Sequence, residues 1–177
     1  IFCGELIVAD IGLKSSIFET TGQTTKLNGP DLWLDRMPFP ESKMHKYDRG
    51  HAVVVAGGSE NSMGAGLLAG ESALRAGAGL VTIAAPADAL PYYRSGPPSI
   101  MVESVVDGDG LDSVLTDERK NVVLIGPGTG VTDRTLNWAS WILSLPKKVI
   151  LDADALTCFS SDLKQLFELT SSKRCSK

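Results

Sequence analysis

The sequence predicts an α/β protein: a doubly wound, mainly parallel sheet with helices on both faces. Two observations carry that prediction. From Gly50 onward, short apolar segments alternate with helix-like segments in a regular order, which is the pattern of repeated β-α-β units. The apolar segments, such as VVV at 53–55 and VIL at 149–151, are continuous runs of branched apolar residues, as expected of strands covered on both faces.

Local cues then set the elements in order. "GELIVADIG" (4–12) reads as a buried strand ending at Gly12, and residues 14–31, rich in Ser, Thr and Gly without periodicity, read as a linker. "DLWLDRMP" (31–38) supplies one or two helical turns stopped by Pro38, and "FPESKMHKYDRG" (39–50) is a loop into the main unit. There "HAVVVAG" is a strand, Gly64 to Gly77 a helix, "LVTIAAP" a strand, "DALPYYRSG" a short helix and "SIMVESV" a strand. Leu111 to Arg119 is a helix, "NVVLIGPG" a strand, Thr132 to Leu145 a helix, "KKVILDADA" a strand, and Ser160 to about Ser172 a helix. Ala65, Ala69, Ala73 and Ala76 make a small-residue face that lets the first long helix lie close to the sheet. Leu136, Ala139 and Leu143 form a stripe on the later helix, with Thr132 as its N-cap and Pro146 as its stop.

Composition excludes several classes. At 177 residues the chain suits one domain of ordinary size, 43% hydrophobic and 21% charged. A net charge of −4 and a pI near 5.2 give no basic field, so no nucleic-acid partner is expected. Cys3, Cys158 and Cys175 have neither Cys-x-x-Cys spacing nor clustered His. A disulfide framework and a zinc site are therefore not expected, and a cytoplasmic, reducing setting is. No apolar run reaches membrane-spanning length, so no membrane partner is expected, and "IFCGELIVADIGL" lacks the basic start of a signal peptide.

Chemistry in such a sheet is sought beyond the carboxyl ends of the strands. Three such ends stand out. The first is the loop Gly57-Gly58-Ser59 through Gly64-Ala65, which matches neither the Walker phosphate pattern nor the three-glycine dinucleotide fingerprint. The second is "GPGTG" from Gly126 to Gly130, where glycines around Pro127 permit close approach of a ligand to the backbone. The third is "LDADA", whose Asp152 and Asp154 share a face if the strand runs through them and can then hold a magnesium ion, a hydroxyl or a ribose. Each has a plainer reading: glycines that only turn the chain, an Asp that only caps a helix, and, before the first strand, a solvated His45 and Lys46.

"HKYDRGHAVVVAGGSENSMGAGLLAGESALRAGAGLVTIA", "VVLIGPGTG" and "VILDADALT", in this order and spacing, closely resemble the ADP- or ATP-dependent NAD(P)H-hydrate dehydratases, over roughly Leu32 to the C-terminus. "CGELIVADIGL" is similar to the last strand of the NAD(P)H-hydrate epimerase domain that precedes the dehydratase in many bacterial proteins. The resemblance implies residues 1–13 as an epimerase tail, 14–31 as linker and 32–177 as the first part of a ribokinase-like dehydratase domain, a chain that begins and ends inside a longer protein. It implies a cytoplasmic metabolite-repair lyase in which ADP or ATP, with Mg2+, drives dehydration of hydrated NADH or NADPH. The hydrated ring's hydroxyl is phosphorylated, and loss of phosphate restores the reduced cofactor.

By this resemblance Ala65 in "MGA" and Gly128 in "GPG" touch the hydrated dinucleotide; the strand ends and the segment before the first strand add Lys46, Gly57, Gly58, Ser59, Gly64, Gly126, Asp152 and Asp154 as further candidates. The family's catalytic Asp sits in a Gly-Thr-Gly-Asp loop that does not occur up to Lys177, so no catalytic residue is assigned and the chain alone is expected to be inactive. ADP use is typical of forms fused behind an epimerase, and a homo-oligomer stays open. So do two other readings: a ribokinase-superfamily kinase acting on a vitamin or sugar hydroxyl, and a non-catalytic nucleotide-binding module. A nicotinamide oxidoreductase would need the missing fingerprint.

Overall fold

The computed structural model describes residues 11–14, 16–22, 28–58, 62–105 and 108–174. The strand expected over 4–12 lies outside the described residues except for its last two positions. The chain divides into two compact units, Ile1–Phe39 and Pro40–Lys177. In the first, the segment read as linker carries a short helix, α1 (Ser16–Thr20), with Thr20 Oγ1 donating to the Ser16 carbonyl at 2.8 Å. The expected helical turns are two 3-10 turns, Pro30–Leu32 and Leu34–Arg36, ending before Pro38.

The second unit is a five-stranded, all-parallel sheet in the order β3-β2-β1-β4-β5. Its strands are β1 (His51–Val55), β2 (Leu80–Ala85), β3 (Met101–Ser104), β4 (Lys120–Ile125) and β5 (Lys148–Leu151). Between them run α2 (Met63–Arg75), α3 (Leu90–Arg94), α4 (Gly108–Leu115) and α5 (Asp133–Ser144), and after β5 come α6 (Ala153–Thr157) and α7 (Leu163–Arg174). Chain order reverses direction between β1 and β4, which places the topological switch point at that pair.

The apolar runs of the central strands β1 and β2 are continuous because both faces are covered, whereas the edge strands β3 and β5 are partly exposed, with Ile150 half exposed. Val53 and Val55 join Val123 and Ile125 in one core with Leu111, Trp138, Ile142 and Phe159, while Val54 faces the other way with Val81, Ile83 and Tyr93. Register explains the grouping, since Val53 and Val55 stand opposite Val123 and Ile125. A bulge at His51/Ala52 inserts Asn121 into β4, and its side-chain oxygen accepts from the His51 N–H at 3.1 Å.

Several expectations shift. The small face of α2 is turned by a residue: Gly66 and Gly70 are the buried positions, with Ala69 and Ala73 beside them and Ala76 exposed. A Cβ on Gly66 would stand 2.8 Å from that of Ala56, so the sheet surface selects the residue with no side chain for closest approach. α4 ends at Leu115 rather than Arg119, because Asp117 accepts from the Arg119 N–H at 3.0 Å and turns the chain into β4. The last expected strand stops at Leu151 and gives way to α6, and the final helix begins at Leu163. α5 follows the reading: the Thr132 hydroxyl accepts from the Thr135 N–H at 3.2 Å, and the helix ends before Pro146.

Candidate functional site

Because all strands are parallel, the loops after β1, β2, β4 and β5 emerge on one rim. The loops after β1 and β4 meet backbone to backbone. A Cβ at Gly57 would fall 1.4 Å from the Gly128 carbonyl oxygen, a contact only glycine allows. Gly126 adopts φ +131, and a Cβ there would fall 1.7 Å from the Asp152 carbonyl oxygen, so the "GPGTG" loop is fitted between the ends of β1 and β5. Buried Tyr93 donates to the Gly57 carbonyl at 2.8 Å; burial first, and the neighbouring Tyr92 second, push its phenol up to about 12, so it remains a donor.

Ala65 and Gly128, the two residues singled out for dinucleotide contact, are joined through Ser62. The Ala65 N–H donates to the Ser62 carbonyl at 3.2 Å, and the Ser62 hydroxyl donates to the Gly128 carbonyl at 3.4 Å. Gly64 lies in the exposed first turn of α2, near the Tyr92 hydroxyl, and Ser59 lies outside the described residues.

The aspartates do not share a strand face. Asp152 is the N-cap position of α6, followed by Ala153 at φ +40, and Asp154 lies inside the helix. The chain turns because β5 reaches its last partner there: the Asp152 N–H donates to the Ile125 carbonyl at 3.1 Å, at the end of β4. Asp154 instead accepts from the Gly130 N–H at 2.8 Å and so pins the "GPGTG" loop. Among the described residues no three His, Cys, Asp or Glu converge on a possible metal ion. Magnesium in phosphoryl-transfer sites is held by one or two carboxylates plus the phosphates themselves, and no residue of this chain is assigned to it.

A cleft of about 320 Å³ opens on the rim between Gly58, Pro86, Asp88, Gly128, Gly130 and Arg134. Asp88 and Arg134 were not among the sequence candidates; reading the segment after every strand, including β2, would have found Asp88. Lys46 is not brought to the rim. It lies at the opposite, amino edge of the sheet, where its carbonyl packs on Gly79 ahead of β2, in a pocket with Tyr47, His51, Glu103, Asp117 and Lys120. A larger cavity of about 670 Å³ also opens at that edge, beside Asn121, Leu143, Pro146 and Val149, and contains none of the candidate residues.

Residues 53–174 match the profile of the NAD(P)H-hydrate dehydratase family. The bifunctional NAD(P)H-hydrate repair enzyme of Coxiella burnetii is 34% identical over 164 residues, which are 93% of this chain and 33% of that protein. The chain thus spans about a third of the length of the curated relatives it matches. The crystal structure of the ADP/ATP-dependent NAD(P)H-hydrate dehydratase from Bacillus subtilis, co-crystallised with ATP/Mg2+, superposes with a TM-score of 0.57 at 30% identity, covering 67% of this chain and 42% of that one. A ribokinase-like superfamily protein from Enterococcus faecalis gives a TM-score of 0.63 at 25% identity, covering 76% of this chain and 47% of that one. The fold is ribokinase-like, and the chain belongs to the NAD(P)H-hydrate dehydratase family.

Proposed function

We propose that this chain supplies the hydrate-binding part of an enzyme that uses ADP or ATP, with Mg2+, to dehydrate hydrated NADH or NADPH. The observation that carries the reading is the junction of Ala65 and Gly128 through Ser62 at the switch point of the sheet, in a chain of this family. The nucleotide supplies the phosphoryl group: the ring hydroxyl attacks its terminal phosphorus, ADP or AMP departs, and elimination of phosphate with loss of a ring proton restores the reduced nicotinamide. The part of this chain is to bind and orient. Gly57 and Gly128 hold the two loops together without side chains, Tyr93 and Asp154 fix them from behind, and the ligand meets a backbone surface set before it arrives. The proton acceptor is not assigned to any residue of this chain.

The test follows recovery of reduced-nicotinamide absorbance from the hydrate with ADP or ATP and magnesium, in a form of the protein that carries the Gly-Thr-Gly-Asp loop. Ala65→Asp puts an unpaired charge against the loop and should lower kcat/KM at least roughly tenfold. Turnover at the wild-type rate would remove Ala65 from the site, and a stable phosphorylated product without dehydration would replace the reading with that of a kinase.

A further inference from the structure

The rim cleft carries two charged side chains that the reading above leaves without a task. Asp88 follows the end of β2, in the 3-10 turn Ala87–Ala89, and its Oδ1 lies 3.3 Å from where a Cβ of Gly58 would stand, so the carboxylate rests on the loop after β1. Arg134 is in the first turn of α5, with its guanidinium 5.2 Å from the centroid of the buried Trp138 ring. That contact uses none of its N–H donors. Among the described residues neither Asp88 nor Arg134 takes part in a salt bridge, although both line the cleft with Gly128.

We propose that Arg134 and Asp88 are the sugar-phosphate grip of this cleft: Arg134 pairs with a phosphate of the bound dinucleotide, and Asp88 accepts a hydrogen bond from a ribose hydroxyl. The proposal rests on the hydrate-binding reading and names two recognition residues for it. The chemistry fits the walls. A guanidinium matches a phosphate with parallel N–H donors, and a carboxylate is acceptor-only, suited to a hydroxyl donor. The placement fits as well. In doubly wound sheets ligands bind beyond the carboxyl ends of the strands, at the topological switch point. Here Asp88, after β2, and Arg134, after β4, line one cleft on that rim. A cleft of about 320 Å³ suits one sugar-phosphate unit rather than a whole dinucleotide. The phosphate has two sources, the 2′-phosphate of hydrated NADPH or the pyrophosphate common to both hydrates.

Calorimetric titration of the protein with hydrated NADH and hydrated NADPH separates them. Arg134→Gln should weaken binding roughly tenfold and flatten its salt dependence, while Arg134→Lys, which keeps the charge, recovers part of the loss. Loss confined to hydrated NADPH identifies the 2′-phosphate; equal loss for both identifies the pyrophosphate. Asp88→Asn should weaken both ligands several-fold. Both side chains are exposed, so the fold should tolerate these changes. Wild-type affinity for both hydrates in Arg134→Gln overturns the grip and leaves the hydrate-binding reading standing. Failure of the wild-type protein to bind either hydrate overturns that reading and the grip with it.

Discussion

The two edges of the sheet are built on opposite principles. At the amino edge, side chains meet side chains and carbonyls. His51 and Thr82 share a hydrogen bond of 2.8 Å, Lys120 reaches both Glu103 oxygens at 2.8 Å, and Lys147 donates to the Asp117 and Lys120 carbonyls at 3.1 and 2.7 Å. Hydrogen bonds from Arg119 hold the Asp117 carboxyl well below the usual carboxylate range. At the carboxyl rim, backbone packs on backbone through glycine, with Tyr93, Ser62 and Asp154 tying the loops, and the charges of Asp88 and Arg134 face a cleft. Polar groups satisfied internally have little left for a ligand, so the contrast favours the rim as the place to bind, despite the larger cavity at the amino edge.

The largest effect expected of any single change lies at the rim. Gly57→Val should cost about 3 kcal/mol or more, because its Cβ would overlap the Gly128 carbonyl and one of two packed backbones must move. Chemical denaturation would register it, and stability within 0.5 kcal/mol of wild type would deny that the two loops are locked together. At the amino edge Lys120→Met keeps the apolar stem and removes the ammonium from the half-exposed Glu103. A loss of about 1–2 kcal/mol should follow, with wild-type affinity for the hydrate. Weakened ligand binding without a loss of stability would blur the division between edges.

The smallest effect is one of pH. Burial first, and then Lys120, lower the pKa of His51 from its ordinary value of 6.5. The unfolded chain therefore takes up a proton near 6.5 that the folded chain refuses until lower pH. The contribution of neutral His51 is complete above that value and is lost as pH falls through the lowered folded one. Melting temperature should decline gently as pH falls below 6.5, and His51→Gln should flatten that part of the profile. An unchanged slope in the variant would assign the decline to other groups.

Much of this architecture was legible in the residues. Val53 to Val55, the runs after Gly79 and before Gly126, and the Thr132 cap each announce an element through chemistry within a few positions. That "GPGTG" and the first glycine loop share a rim also followed from the pattern, since parallel strands send their exits the same way. The amino-edge position of Lys46 was equally readable, because a residue just ahead of a parallel strand must stand at its entry.

What the sequence determined by itself was therefore periodic and local: the alternation of strand and helix, the class of sheet, the family resemblance and the glycine-rich strand exits. Tertiary structure decided wherever a neighbour sets the limit. "LDADA" continues as a strand by local pattern, yet β5 stops at Leu151 because β4 offers no partner past Ile125, and Asp152 and Asp154 part company in the turn that follows. The alanines of α2 and its glycines are both small, and only the surface of Ala56, Ile83 and Tyr93 selects Gly66 and Gly70 for burial. Asp88 and Arg134 are far apart in sequence and each resembles an ordinary solvated charge. Their shared cleft exists because β2 and β4 flank β1, a pairing fixed by cooperative burial of the whole sheet and by nothing near either residue.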